Sequence, residues 1–359
     1  MREISWWRTS FGNEEVERLR KAVAEEHISE GTLTRQLEQE LAQSLGVPHT
    51  VMTTSGSSAL LLALMALGIG RDDEVLVPNR TWIATAHAVL MTGAKAVLVD
   101  VCPDIPVMDA SKIKEKITSK TKAILPVHLN GRSVDMQAIE KIAKEYGLLV
   151  VEDAAQALYS KNSKGFLGTQ SNAGCFSLGI SKLISTGQGG FVVTRNPQVY
   201  EKLKLIKNHG VVDIFTDTWN QMGFNFKFTD LLASFGLVQM THAEERIKHL
   251  KELYARYSQA MKDLPFLSLI PVKISEGEFP LYIEVLCKQR KKLIEFLKDK
   301  GIQTRPVPPN LSISGYLEKR GTFPNSERFG NEGIYLPCGP AQPLENVEAV
   351  IKMLNKFKE

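Results

Sequence analysis

Cysteine is scarce: Cys102, Cys175, Cys287 and Cys338 stand far apart in 359 residues and form no C-x-x-C pair. This excludes a disulfide scaffold and a cysteine-rich zinc site, so reduced and mostly buried thiols are expected. The 7 histidines form neither an H-x-x-x-H pair nor a cluster with cysteine, and no metal centre is expected. Long apolar runs are missing too. The longest, Ala59 to Ile69, falls far short of the roughly 20 residues of a membrane helix and suits a buried core helix. No stretch of signal-peptide type occupies MREISWWRTSFGNEE, so export is not expected and a cytoplasmic location is. Neither sign of charge dominates, because 44 Lys and Arg against 40 Asp and Glu leave a scattered +4. A nucleic-acid footprint is therefore excluded. There is no G-x-S-x-G elbow, no Walker loop and no G-x-G-x-x-G, which removes the commonest hydrolase, nucleotidase and dinucleotide readings.

What remains is ordinary globular composition, 43% hydrophobic and 23% charged, in a chain longer than one usual core. Two domains are expected. From Thr50 to Val151 short strand-like runs alternate with helical segments, the pattern of a parallel sheet with crossover helices. HTVMTT, EVLVP, AVLVD, TKAILPVHL and LLVVED read as strands, with helices over Ser57 to Leu67 and Trp82 to Met91. CFSL and GGFVVTRN add a strand pair, and Pro197 starts a helix. The helical period of LLASFGLVQMTHAEERIKHLKELYARYSQAMKDL predicts one long connecting helix. Beyond it FPLYIEVL, KQRKKLIEFLKDKGI and LENVEAVIKMLNKFKE suggest a smaller α+β unit. The expected fold is α/β, with a mostly parallel mixed sheet in a large domain, 1–240, and a small domain, 241–359.

Three segments carry chemistry. TTSGSS joins a strand to a helix, and its free amides with the helix dipole make an anion site around Gly56 and Ser57, to which the Ser57 and Ser58 hydroxyls could add. The same letters serve equally as a turn and N-cap. Asp153 closes LLVVED, at the strand edge where open α/β sheets bind ligands. There it could keep a pyridinium nitrogen protonated, or merely cap a helix. Lys182 lies among small residues (Gly179, Ser181, Ser185, Gly187), with room for a cofactor and with desolvation to lower its pKa. Alone it would be a solvated charge. Trp82 could lie over a flat heterocycle or pack in a core. His209 and Asn225 sit between regular segments, where most polar residues cap or turn. Phosphate cup, strand-end carboxylate and lysine, in this order, are how pyridoxal-phosphate enzymes assemble their site.

The chain resembles the DegT/DnrJ/EryC1/StrS family of pyridoxal-phosphate-dependent sugar aminotransferases, of fold type I. GTLTRQLEQELAQSLGV, TSGSSALLLALMALGIGRDDEVLVPNRTWIATAHAV, PVHLNGRSVDMQAI, VEDAAQA and GFNFKFTDLLASFGLVQM carry the likeness. The resemblance implies that Lys182 forms the Schiff base, Asp153 partners the pyridine nitrogen, and Gln156 bonds the ring hydroxyl. It further implies that Gly56, Ser57 and Ser177 bind the phosphate, and that Trp82 stacks on the ring. Asn225 is implied to reach the phosphate in a neighbouring subunit, making a homodimer with shared sites. Residues 1–25 are expected to pack on the small domain. The implied reaction moves the amino group of L-glutamate, through pyridoxamine 5'-phosphate, to a nucleotide-linked keto sugar. Dehydratases of the family carry histidine in place of the lysine, so Lys182 favours transamination. The rival readings are a pyridoxal-phosphate dehydratase or lyase and a non-catalytic, cofactor-binding regulator. Tyr282 and Arg305 are candidates to face the substrate, and equally a packed and a solvated residue.

Overall fold

The computed structural model describes residues 3–219 and 221–358. An extended stretch leads into α1 (Asn13–Ala24) and α2 (Thr32–Leu45). Strands and helices then alternate: β1 (His49–Thr53), α3 (Gly56–Ala66), β2 (Glu74–Pro78), α4 (Ala84–Met91), β3 (Lys95–Val99), β4 (Thr121–Ile124), α5 (Met136–Tyr146) and β5 (Leu149–Asp153). A small hairpin, β6 (Lys161–Asn162) with β7 (Gly165–Phe166), precedes β8 (Ala173–Ser177), β9 (Gly190–Thr194) and α6 (Pro197–Lys207). The remainder comprises α7 (Asp230–Thr241), α8 (Ala243–Met261), β10 (Ser268–Leu269), β11 (Ile283–Leu286), α9 (Arg290–Asp299), β12 (Arg305–Pro306), α10 (Pro324–Glu332), β13 (Gly333–Leu336) and α11 (Leu344–Leu354).

Seven strands form one sheet in the order β1-β9-β8-β5-β4-β2-β3. All pairings are parallel except the two that β9 makes, with β1 and β8. The chain runs so because the inner strands are apolar on both faces: Val75, Leu76, Val77, Ala123, Ile124, Val150 and Val151 are all buried. α3 is apolar all round and is enclosed accordingly. Left-handed Gly46 and Gly147 end α2 and α5, and Asn196 caps α6 ahead of Pro197. One consequence governs the site. The carboxyl ends of β1, β2, β4, β5 and β8, and the start of β9, share a single edge of the sheet.

One apolar cluster joins α2, the strands β8 and β9, and α8 to the second sheet, β10-β11-β13-β12, which is antiparallel throughout. Ile4 pairs with Ile302 and Trp7 with Cys338, whereas α1 packs on α7. The expected single long helix is two, broken at His242 (φ −96°, ψ 2°). Glu244 and Glu245 suit a new N-terminus there, since acids in a first turn complement the helix dipole. No disulfide joins the four cysteines, three of which are buried.

Candidate active site

Lys182 lies on the loop between β8 and β9, and this loop is held by its own backbone. Leu178 N donates to Gly189 O at 2.8 Å, Thr186 N to Leu178 O at 3.0 Å, and Lys182 N to Gly179 O at 3.1 Å. Gly187 (φ 79°) and Gly189 (φ 137°) make the reversal, and a Cβ on Gly189 would come within 2.8 Å of Phe228. The side chain enters a cavity of about 500 Å³ that Gly56, Ser57, Trp82, Asp153, Gln156 and Ser177 also line. Burial lowers the amine's pKa to about 8, against the opposing pull of Asp153. A measurable share of it is therefore neutral, and nucleophilic, near pH 7.

Asp153 ends β5 and is almost fully buried. It accepts hydrogen bonds from Thr85 Oγ1 at 2.8 Å and from Ala155 N at 3.1 Å. Burial raises its pKa, and these donors and Lys182 only partly offset that. Gln156 Oε1 accepts from Asn130 N at 2.9 Å, which leaves its amide nitrogen for a ligand. Asn130 is held with φ 56° by its side chain, whose Nδ2 donates to Tyr282 O and Glu284 Oε2 at 2.9 and 2.8 Å. Glu284 is paired in turn with buried Arg132 at 2.5 Å. A ligand group at Gln156 is thus braced by the second sheet.

At the far end, α3 begins where β1 stops. The leading amides, of Gly56 and Ser57, have no acceptor within the helix and are of the kind that can meet an anion. Backbone crowding requires glycine: a Cβ on Gly56 would lie 2.8 Å from Ser177 Cβ, and one on Gly190 2.5 Å from the Ser55 carbonyl. Ser58 departs from expectation. Its hydroxyl is buried and accepts from Ser55 N at 2.9 Å in a capping box, so it closes the helix rather than serving a ligand. Ser57 is exposed instead, and Ser177 is half-buried.

Trp82 precedes α4 by two residues and is 58% exposed at the cavity rim. Asn225 is not among the residues lining this cavity. It bridges to Asn208, and its side chain is exposed beside a stretch that displays Val212, Phe215, Trp219 and Met222. His209 holds φ 59° in the same turn. Tyr282 lines the cavity and donates to Ser181 O at 2.9 Å, while Arg305 is exposed on β12 and does not line it. Sequence reasoning missed Thr85, Arg80, Tyr335 and Trp6, which also bound the space. For the first two a signal existed: both fall in PNRTWIAT, the segment already singled out for Trp82.

The cavity therefore combines a partly neutral amine, a buried carboxylate suited to a protonated ring nitrogen, and unpaired helix-start amides of the kind that bind phosphate. These donors fit pyridoxal phosphate. The molecule is an aminotransferase of fold type I. It belongs to the DegT/DnrJ/EryC1/StrS aminotransferase family, whose model matches residues 9–355, a family of pyridoxal-phosphate-dependent sugar aminotransferases. It is 34% identical to GDP-perosamine synthase of Escherichia coli O157:H7, with 99% of each chain covered. It is 30% identical to the spore coat polysaccharide biosynthesis protein SpsC of Bacillus subtilis, over 95% of this chain and 94% of that one. The solved structure of S. venezuelae DesV, in complex with a ketimine intermediate, superposes with a TM-score of 0.91 at 30% identity. That match covers 96% of this chain and 94% of DesV.

Proposed function

We propose that the protein transfers the amino group of L-glutamate to a nucleotide-linked keto sugar, releasing 2-oxoglutarate and an amino sugar nucleotide. The observation that carries this reading is the convergence of Lys182, Asp153 and the Gly56–Ser57 amides on one cavity, in a chain of this family. The relative named GDP-perosamine synthase supports a nucleotide sugar as acceptor. When bound, pyridoxal phosphate supplies an aldehyde and a ring that accepts an electron pair.

The chain's residues do the rest. Gly56, Ser57 and Ser177 hold the phosphate, and Asp153 holds the ring-nitrogen proton. Gln156 bonds the ring hydroxyl, and Trp82 covers the ring face. Lys182 Nζ would hold the cofactor and is placed to take up and give back a proton beside it, a task suited to an amine with a pKa of about 8. The enzyme works as a homodimer in which Asn225 reaches the partner's phosphate site. Its exposure, and the apolar side chains beside it, support that placing. The functional division is a cofactor-binding domain, 1–240, and a small domain, 241–359. Among the described residues no helix is long and apolar enough to cross a membrane, and the working location proposed is the cytoplasm.

The test is to add L-glutamate to the cofactor-loaded protein and then a panel of nucleotide-linked keto sugars. Loss of the yellow cofactor band with release of 2-oxoglutarate, and its return with an aminated sugar, is the expected result. An unchanged spectrum would leave the regulatory reading, and loss of water from the sugar without amination the dehydratase reading.

A further inference from the structure

Arg80 lies two residues beyond β2, is 3% exposed, and lines the cavity together with Trp82, Pro308 and Tyr335. Its Nη1 donates to the carbonyl of Pro308 and, at 3.4 Å, to Asn310 Oδ1. Among the described residues Nε and Nη2 have no acceptor and no carboxylate pairs with the group. The other deeply buried arginines differ: Arg132 is paired with Glu284 at 2.5 Å, and Arg246 spends both terminal nitrogens on three acceptors. Burial lowers the pKa of Arg80, yet a guanidinium stays protonated in proteins. The Glu284 carboxylate acts on Arg80 only from a distance and is in contact with Arg132 instead, and a cation taken out of water without a counter-charge in contact is costly unless something supplies the anion.

That anion is not the cofactor's phosphate, whose amide cup lies at the start of α3, on the β1 and β9 side of the sheet. Arg80 instead reaches the 308–310 segment on the side of the second sheet. Nor does the depth of Arg80 suit a diphosphate, because a nucleotide must extend outward past the rim marked by exposed Trp82. The small amino donor is the substrate that fits wholly inside, and every amino acid carries a carboxylate matching the planar guanidinium fork. We propose that Arg80 binds a carboxylate of the amino donor in the cavity. This rests on the aminotransferase reading above.

The test uses the cofactor-loaded full chain with Arg80→Gln and Arg80→Lys, each first checked for a normal melting curve. The two half-reactions are followed separately by the cofactor spectrum, and binding of unreactive glutarate by calorimetry. The Gln variant is expected to raise the half-saturating L-glutamate concentration about 10- to 100-fold, the size of a lost charge-assisted bond. Glutarate binding should weaken alongside, and the Lys variant should recover part of both. The keto-sugar half-reaction should lose less than the glutamate half-reaction, because the sugar brings no carboxylate to this guanidinium. L-alanine separates the two possible carboxylates: an equal loss assigns the α-carboxylate, and a loss confined to glutamate assigns the distal one. A Gln variant with unaltered glutamate and glutarate affinity overturns the proposal. So does a variant impaired only toward the sugar, whose own anion would then occupy the site. If the wild-type protein takes amino groups from another amino acid but not from glutamate, the donor assignment fails by itself, and Arg80 is tested with that amino acid.

Discussion

Replacing Asp153 by Asn should move two properties in opposite directions. Asn keeps one oxygen to accept from Ala155 N, and its Nδ2, in place of the oxygen that accepts from Thr85 Oγ1, can donate to that hydroxyl once it rotates, so the geometry around the strand end is largely kept. What is lost is the negative charge that raises the Lys182 pKa against the larger, lowering effect of burial. At pH 7 an amine with a pKa of about 8 is roughly one-tenth neutral, about 300 times more than a lysine near 10.5. With Asn the pKa falls further. Covalent capture of pyridoxal phosphate at saturating cofactor should speed up at pH 7, by at most about tenfold, since only the remaining nine-tenths can be gained. Its rate inflection should shift to lower pH. Amino transfer should collapse, because a buried charged partner lost from the ring nitrogen is worth about 2–5 kcal/mol, roughly 30-fold or more in rate. Stopped-flow absorbance from pH 6 to 10 reads the first effect, and single-turnover conversion with glutamate the second. An inflection that stays in place or moves to higher pH, or a variant with near-normal transfer, would refute the reasoning.

Other outcomes follow from the same contacts. Cofactor-free Asp153→Asn should melt higher than wild type at pH 7. A buried carboxyl with a raised pKa loses stability as pH climbs through that pKa, so the gap should close on acidification; equal melting at every pH would count against it. Gly56→Ala, whose Cβ would meet Ser177 at 2.8 Å, should cost about 1–3 kcal/mol of stability and loosen cofactor binding, both readable by thermal shift. Arg132→Met leaves Glu284 buried without its partner and should destabilise by about 3–5 kcal/mol in denaturant unfolding, with part recovered by adding Glu284→Gln.

The strand-end residues were legible because position along the chain sets them. Once LLVVED and CFSL are read as parallel strands, Asp153 and the loop bearing Lys182 fall on one edge. Ser58 was misread because a hydroxyl at the third helical position serves a cap as readily as a ligand, and only the Ser55 contacts decide between them. The break at His242 was invisible for a similar reason: helical period continues across it, and no proline or glycine marks it. Arg80 and Trp6 depend on tertiary approach. Arg80 meets the 308–310 segment, more than 220 residues away, and Trp6 meets Tyr282 and Tyr335 only because the N-terminal stretch pairs beside Ile302 and Cys338. Local pattern carries no trace of such meetings.

The central claim is that Lys182 anchors the cofactor, and borohydride reduction of the cofactor-loaded protein followed by peptide mass mapping tests it most directly. The account predicts bleaching of the yellow band and one pyridoxyl-phosphate adduct, on Lys182. An adduct on another lysine, or a colourless protein that takes up no cofactor, would contradict it.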